Sequence, residues 1–190
     1  MRRATTILDP ESSSASLSSF RRWLWLSPAV FAIHGAEDAP RLADWMRSTR
    51  LFEPVTRGQL VVALCLLVAM SFLCAYAGHK GTRWGVYAFV WMQIFIFLHG
   101  IAHLIPSAWL LTYTPGLVTG ALLLPVSFYG YRRARKYRHF GRKTATALFL
   151  LGLFLYDPLL RLAFKAGAAV IHQPARVEPS PDRVPSSNVV

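Results

Sequence analysis

The apolar residues of this 190-residue chain are gathered into long runs and lack the two-residue alternation of membrane β-strands. Because no water reaches the core of a bilayer, only helices or closed barrels satisfy every backbone group there. The pattern therefore predicts an all-α protein, a bundle of about five transmembrane helices. The predicted spans are 20–39, 59–78, 84–105, 115–131 and 144–164, all within a helical domain over 20–170.

The first span is the least regular of the five. From Trp23 to Ile33 it offers only eleven mostly apolar residues, whereas a crossing helix needs about twenty. A full crossing therefore has to carry His34, Glu37 and Asp38 in its last turns; otherwise the segment stops halfway.

The remaining segments are polar or amphipathic. After Pro40, apolar and charged residues alternate at helical spacing over 41–50, which is typical of a helix lying in the membrane interface. The segments 1–19 and 171–190 are rich in polar residues or proline, and we expect both to be disordered tails.

The net charge of +12 bears on topology and not on nucleic acid binding. The cations flank apolar spans, and no basic patch carries the interleaved aromatic residues of a base-stacking surface. The segment 132–143 holds seven cations and is predicted to be cytoplasmic. We therefore expect a multi-pass protein of a bacterial inner membrane with a cytoplasmic N-terminus.

This topology brings six ionisable residues to one level in the outer half of the bilayer, because the first, third and fifth spans all run outward. They are His34, Glu37, Asp38, His99, His103 and Asp157. Buried ionisable groups are costly unless they pair, bind an ion or line a wet cavity. Their predicted gathering therefore indicates a functional site.

The histidines suggest a metal site. His99 and His103 are one helical turn apart, about 40° around the helix, and two such imidazoles can bind one ion. With His34 from a facing helix and nearby carboxylates they would make a site suited to one divalent Zn, Fe or Mn. Glu37 and Asp38 are the predicted catalytic residues, with Glu37 as general base on a metal-bound water.

Each of these residues also has a plain structural interpretation. Asp38 precedes Ala39 and Pro40, where it can cap the interfacial helix. Glu37 can be solvated at the membrane surface, and the histidine pair can form hydrogen bonds between helices. Asp157 can pair with Arg161 at i+4, which we favour for both residues.

The segment 113–120 predicts the start of the fourth helix. Thr114 is the expected cap, Pro115 the first helical residue, and Gly116 and Gly120 allow close helix packing. An alternative function uses the positive end of this helix to hold an anionic group.

The motif His-Gly-Ala-Glu-Asp at 34–38, followed by a histidine-bearing helix and by Tyr-Thr-Pro-Gly-Leu-Val-Thr at 113–119 with Pro125 downstream, resembles the HXXEE-domain family of small bacterial and archaeal membrane proteins. The resemblance covers roughly 23–131. The family's final Glu is Asp38 here, which keeps the charge and shortens the side chain by one methylene. The resemblance implies that His34, Glu37 and Asp38 define the site, and it implies no particular reaction.

Three functions fit these observations. The first is a metal-dependent, membrane-embedded enzyme that acts on a lipid or other apolar substrate at the outer leaflet. The second is a small transporter or proton-coupled carrier, although no internal repeat supports the usual transporter designs. The third is a non-catalytic scaffold for other membrane proteins. The lipid bilayer is the expected partner in every case, and nucleic acid in none.

Overall fold

The fold is that of a computed structural model, which describes residues 21–50, 53–138 and 140–171. All regular structure in these residues is α-helical, as predicted. The two predicted tails, except for Ile171, lie outside the described residues. The helices are α1 (Leu26–Asp38), α2 (Leu42–Thr49), α3 (Arg57–His79), α4 (Arg83–Leu110), α5 (Leu117–Arg138) and α6 (Arg142–Val170).

Three of these helices, α3, α4 and α6, are long and apolar enough to cross a membrane, which indicates a membrane protein. α1 has 13 residues and so covers only about 20 Å, less than the roughly 30 Å of a bilayer core. The last turns of α5 carry five cations. The number of spans, predicted as five, therefore stays a prediction for the segments 20–39 and 115–131.

The starts of α3 and α4 are fixed by threonine caps. The Thr56 hydroxyl accepts a hydrogen bond from the Gln59 amide at 3.2 Å, and the Gln59 side chain accepts one from the Thr56 amide at 2.9 Å. The Thr82 hydroxyl accepts a bond from the Gly85 amide at 3.1 Å. These side chains satisfy backbone donors that the first helical turn leaves unpaired.

The start of α5 differs from the prediction. Thr114 does not cap the helix, because its backbone amide and hydroxyl both bond the Ser107 hydroxyl, at 3.0 and 2.6 Å. Gly116 has a φ of +79°, a left-handed conformation that interrupts a right-handed helix. The helix therefore begins at Leu117 and not at Pro115.

α4 is the central helix and packs against α3, α5 and α6, while α1 lies against α3 and α5. The close approach of α4 and α5 depends on small residues, since a Cβ at Gly100 would stand only 2.6 Å from the Gly120 carbonyl oxygen. Phe31, Phe95 and Leu123 are fully buried at the centre of the bundle.

The amphipathic helix predicted after Pro40 is present as α2, and its interfacial location stays a prediction. Ala43 and Met46 are buried against α3 and its neighbours. Asp44 on the other face forms ion pairs with Arg57 and Arg47. The hydrogen bond from Arg57 lowers the pKa of the Asp44 carboxyl.

Candidate metal centre

Four buried side chains from two helices meet near the C-terminal end of α1. His34 and Asp38 share one face of α1, and His99 and His103 share one face of α4, because each pair is spaced i,i+4. The three imidazole rings pack edge to face, with centroids 5.1 Å apart for His34 and His99, 5.1 Å for His99 and His103, and 4.6 Å for His34 and His103. All four residues are at most 5% exposed.

The donor atoms of this cluster converge. One possible ligand atom from each of the four residues lies within 4.8 Å of the others. Asp38 Oδ2 is 3.3 Å from His34 Nε2 and 3.4 Å from His103 Nε2. Among the described residues, neither Asp38 oxygen, nor His34 Nε2, nor His99 Nε2 has a hydrogen-bond partner. Unpaired polar atoms that are buried in this way are costly, and a bound cation would give these atoms a partner.

The opposite nitrogen of each ring is held by the protein. His103 Nδ1 lies 2.8 Å from the Pro115 carbonyl oxygen, which can only accept, so Nδ1 carries the proton. His99 Nδ1 lies 3.2 Å from the Tyr156 hydroxyl. A neutral His103 therefore has its lone pair on Nε2, facing Asp38.

The tautomer of His34 follows from Glu37. The Thr119 hydroxyl has one hydrogen and donates it to Glu37 Oε2 at 2.5 Å. It must therefore accept the bond that joins it to His34 Nδ1 at 2.8 Å, which places the imidazole proton on Nδ1. His34 Nε2 consequently also presents a lone pair toward Asp38.

Glu37, a predicted catalytic residue, lies beside the cluster and not in it. Its carboxylate accepts hydrogen bonds from the Tyr113 hydroxyl at 2.5 Å and from the Thr119 amide at 3.2 Å, in addition to the Thr119 hydroxyl. The Thr119 amide belongs to the first turn of α5, so Glu37 itself supplies the negative charge at this helix end. The bond to Glu37 raises the pKa of the Tyr113 phenol.

Two glycines leave room for the cluster. At Gly116, a Cβ would collide with Asp38 Oδ1 and approach His34 Cε1. At Gly120, a Cβ would stand 3.2 Å from His103 Cβ, a tight contact. The close packing expected of these two positions is therefore present, and it brings the start of α5 against the predicted ligands.

Asp157 is not brought to the cluster, contrary to the predicted gathering of six groups. Its side chain is 64% exposed and accepts a bond from Arg161 Nε at 2.7 Å, the pairing favoured as its structural interpretation. Arg161 Nη1 also lies 3.2 Å from Glu53 Oε1. Tyr156, one residue earlier, points inward to His99 instead.

The capping role considered for Asp38 is also wrong. α2 begins after Arg41 and has no side-chain cap, because α1 continues through Asp38 and directs its carboxylate at the histidines. The supporting roles of Tyr156, Thr119 and the Pro115 carbonyl were not predicted. The position of Thr119 in the motif at 113–119 was the one sequence feature that could have pointed to its role.

A family model described as a protein of unknown function with HXXEE motif matches residues 25–130. The match covers more than half of the chain, including all four cluster residues, Glu37 and Thr119, but not Tyr156. Comparisons with curated proteins and with solved structures found no match.

Proposed function

Since the chain belongs to the HXXEE family, whose description names no activity, we propose its function from the site alone. The protein is a membrane-embedded metalloenzyme that holds one divalent Zn, Fe or Mn ion through His34, Asp38, His99 and His103. The observation that carries the proposal is the convergence of donor atoms from these four residues. The atoms of His34, Asp38 and His99 have no hydrogen-bond partner among the described residues, and the other nitrogen of each ring is held by the protein.

Two of the separations between the donor atoms match those in a metal site. Ligand atoms about 2.1 Å from a tetrahedral ion lie about 3.4 Å from one another, and Asp38 Oδ2 lies 3.3 and 3.4 Å from its two imidazole nitrogens. Without a cation, two nitrogen lone pairs would face a carboxylate in a buried space. Three imidazoles and one carboxylate also match the preferences of Zn, Fe and Mn, and the absence of thiolates disfavours softer ions.

The partners of the ring nitrogens support the same proposal. Metal-binding histidines commonly donate their second N–H to a carbonyl or a carboxylate, which fixes the tautomer and the ring orientation. His103 donates directly to the Pro115 carbonyl, and His34 reaches the Glu37 carboxylate through Thr119. We assign Asp38 as a ligand and Glu37 as a positioning residue that acts through Thr119.

The surroundings of the site favour an apolar substrate. Near the cluster, the end of α4 and the start of α5 expose large apolar side chains: Ile105 is 60% exposed, Leu111 89% and Val118 67%. In a bilayer these surfaces would contact lipid. A divalent ion would act as a Lewis acid on a carbonyl or phosphoryl group. We therefore propose a lipid-like substrate that enters from the leaflet beside the end of α4 and the start of α5.

A proton-coupled carrier is the second candidate, because hydrogen bonds connect the half-exposed Tyr113 and Glu37 to His34 through Thr119. On the far side of the cluster, however, the hydrogen bonds continue only from His99 to the Tyr156 hydroxyl, and Phe31 and Phe95 flank the His99 ring. Among the described residues the polar path therefore ends inside the bundle, as a buried reaction site requires and a transport pathway does not.

Elemental analysis of protein purified without chelator tests the metal. We expect about one ion per chain in the wild type and its loss in Asp38→Asn and His103→Ala, because both remove a ligand. His79→Ala is the matched control, since His79 lies at the end of α3 outside the cluster, and it should retain the ion. Metal-free wild type, or full occupancy in Asp38→Asn, would contradict the proposal.

A second measurement separates an enzyme from a metal-stabilised scaffold. Wild type and Asp38→Asn are incubated in mixed micelles with a glycerophospholipid mixture, and products are followed by mass spectrometry. New products that form only with metal-loaded wild type support the enzyme. If the wild type binds the ion but forms no metal-dependent product from these lipids, the metal site is structural, and the proposal that the protein is an enzyme is contradicted.

A further inference from the structure

A cleft separates α5 from α6 at the end of the bundle that bears the cationic segment 132–143. α4 packs against both helices, whereas α5 and α6, although joined by a short connection, hardly contact each other among the described residues. The resulting cleft has a volume of about 530 Å³, with α4 as its floor, and opens at the surface of the bundle. It lies apart from the metal centre and shares no residue with it.

The walls of the cleft are mainly apolar. The apolar and aromatic side chains that line it are Ile94, Phe97, Phe128, Tyr131, Ala145 and Phe149. Two polar lining residues bond within the protein: Gln93 Nε2 donates to the Ser27 hydroxyl at 2.8 Å, and the Ser127 hydroxyl donates to the Leu123 carbonyl at 2.6 Å. Gln93 Oε1 has no partner among the described residues. The cleft thus offers a surface suited to a hydrocarbon chain.

The mouth of the cleft is cationic and, among the described residues, has no acidic counter-ion. Arg135 and Arg142 line it, and a second cavity of about 660 Å³ adds Arg132 and Lys136 next to it. Neither Arg135 nor Arg142 makes an ion pair or a side-chain hydrogen bond with any described residue. The sequence contains no Asp or Glu from 54 to 156, so no acid on α4, α5 or the first half of α6 can neutralise them.

We propose that this cleft binds one anionic phospholipid, with an acyl chain along the apolar walls and the headgroup phosphate between Arg135 and Arg142. Basic pockets between membrane helices commonly bind anionic headgroups, and guanidinium groups suit phosphate because they donate paired hydrogen bonds. An apolar groove that ends in two arginines without an acidic partner in the described part of the chain is complementary to such a lipid over its whole length. A zwitterionic lipid would bind more weakly because its own cation opposes the arginines.

The test is native mass spectrometry of the full chain released from nanodiscs of phosphatidylcholine mixed with phosphatidylglycerol. We expect wild type to retain phosphatidylglycerol above its share of the nanodisc. The double variant Arg135→Gln/Arg142→Gln should reduce this preference about thirtyfold, or about 2 kcal/mol at roughly 1 kcal/mol per cation. Ala145→Phe, which fills the cleft without changing charge, should also reduce it.

The matched control is Arg133→Gln/Lys143→Gln. It removes the same charge from the same segment, but neither residue lines the cleft, and the Arg133 guanidinium lies on the Tyr129 ring. The control should retain the lipid. Equal loss in both double variants would mean only a diffuse charge effect and would overturn the cleft as a site. Equal retention of both lipids, or dimers in place of lipid adducts, would overturn it as well.

Discussion

Gly116→Ala should strongly weaken metal binding, because the missing side chain of Gly116 leaves room for the cluster and its backbone conformation disfavours other residues. A non-glycine residue in this left-handed region costs about 1 to 2 kcal/mol. The added methyl group would also meet Asp38 Oδ1 and force the carboxylate out of its position between the histidines. Displacing a ligand should weaken binding by at least about a hundredfold, the upper end of what changes in supporting residues cause.

Gly81→Ala separates these two effects. Gly81 has a φ of +71°, so alanine there causes a similar backbone strain, but its Cβ would make only an ordinary 3.5 Å contact with the Tyr137 hydroxyl. In the metal-free state, Gly81→Ala should lose about 1 to 2 kcal/mol of unfolding free energy. Gly116→Ala should lose at least as much, because its methyl group also meets Asp38.

Thermal unfolding in detergent, with and without added metal, is the assay. Metal at a hundred times its dissociation constant for the wild type should stabilise the wild type and Gly81→Ala by about 2.7 kcal/mol, and Gly116→Ala by about 0.4 kcal/mol or less. Equal stabilisation of both glycine variants would show that Gly116 does not border a metal site and would refute the reasoning.

Other changes follow from the same contacts. Tyr156→Phe should weaken metal binding about 10- to 100-fold, as measured by titration of the metal-free protein. An unchanged affinity would contradict a supporting role of the Tyr156 hydroxyl. Asp157→Asn should leave the metal content unchanged; loss of metal in this variant would show that Asp157 contributes to metal binding. In a spectroscopic pH titration, the phenol of Tyr113 should ionise above its ordinary pKa of 10.0, and Glu37→Gln should lower that pKa. The hydrogen bond from the Tyr113 hydroxyl to the Glu37 carboxylate therefore contributes stability below about pH 10, and this stability is lost as the pH rises through the raised pKa of Tyr113. If Glu37→Gln left the pKa of Tyr113 unchanged, the result would argue against this hydrogen bond. A reporter fused within 132–143 should lie in the cytoplasm, on the opposite side from one at the C-terminus; both on one side would exclude five spans.

The sequence was sufficient to group the histidines because their spacing and the span directions limit where they can lie. His99 and His103 must share a face of α4, and His34 lies at the same level if α1 and α4 run in the same direction. That argument needs only helical geometry.

The orientation of α6 about its axis could not be predicted. Neighbouring residues on a helix point about 100° apart, so a modest rotation decides whether Tyr156 or Asp157 faces the cluster. α6 exposes apolar side chains over much of its length, such as Phe154 at 76%. Its hydrophobic pattern therefore does not mark a single buried face, and the sequence could not exclude Asp157.

The roles of the two adjacent acids depend on a tertiary contact. Glu37 lies about 60° to one side of His34 and Asp38 about 40° to the other, which left both open as catalytic, ligand or structural residues. The start of α5 separates them, because Thr119 meets Glu37 while Gly116 leaves room for Asp38. This contact joins segments about 80 residues apart, and no local pattern specifies it.

X-ray absorption spectroscopy of the metal-loaded wild type tests the central claim most directly. For bound Zn, the account predicts four nitrogen or oxygen neighbours at about 2.0 to 2.2 Å, no sulfur, and outer-shell scattering from three imidazoles. His99→Gln, loaded with excess Zn to offset its lost ligand, should show scattering from two imidazoles. A sulfur neighbour, or a spectrum identical in wild type and His99→Gln, would contradict a metal centre formed by His34, Asp38, His99 and His103.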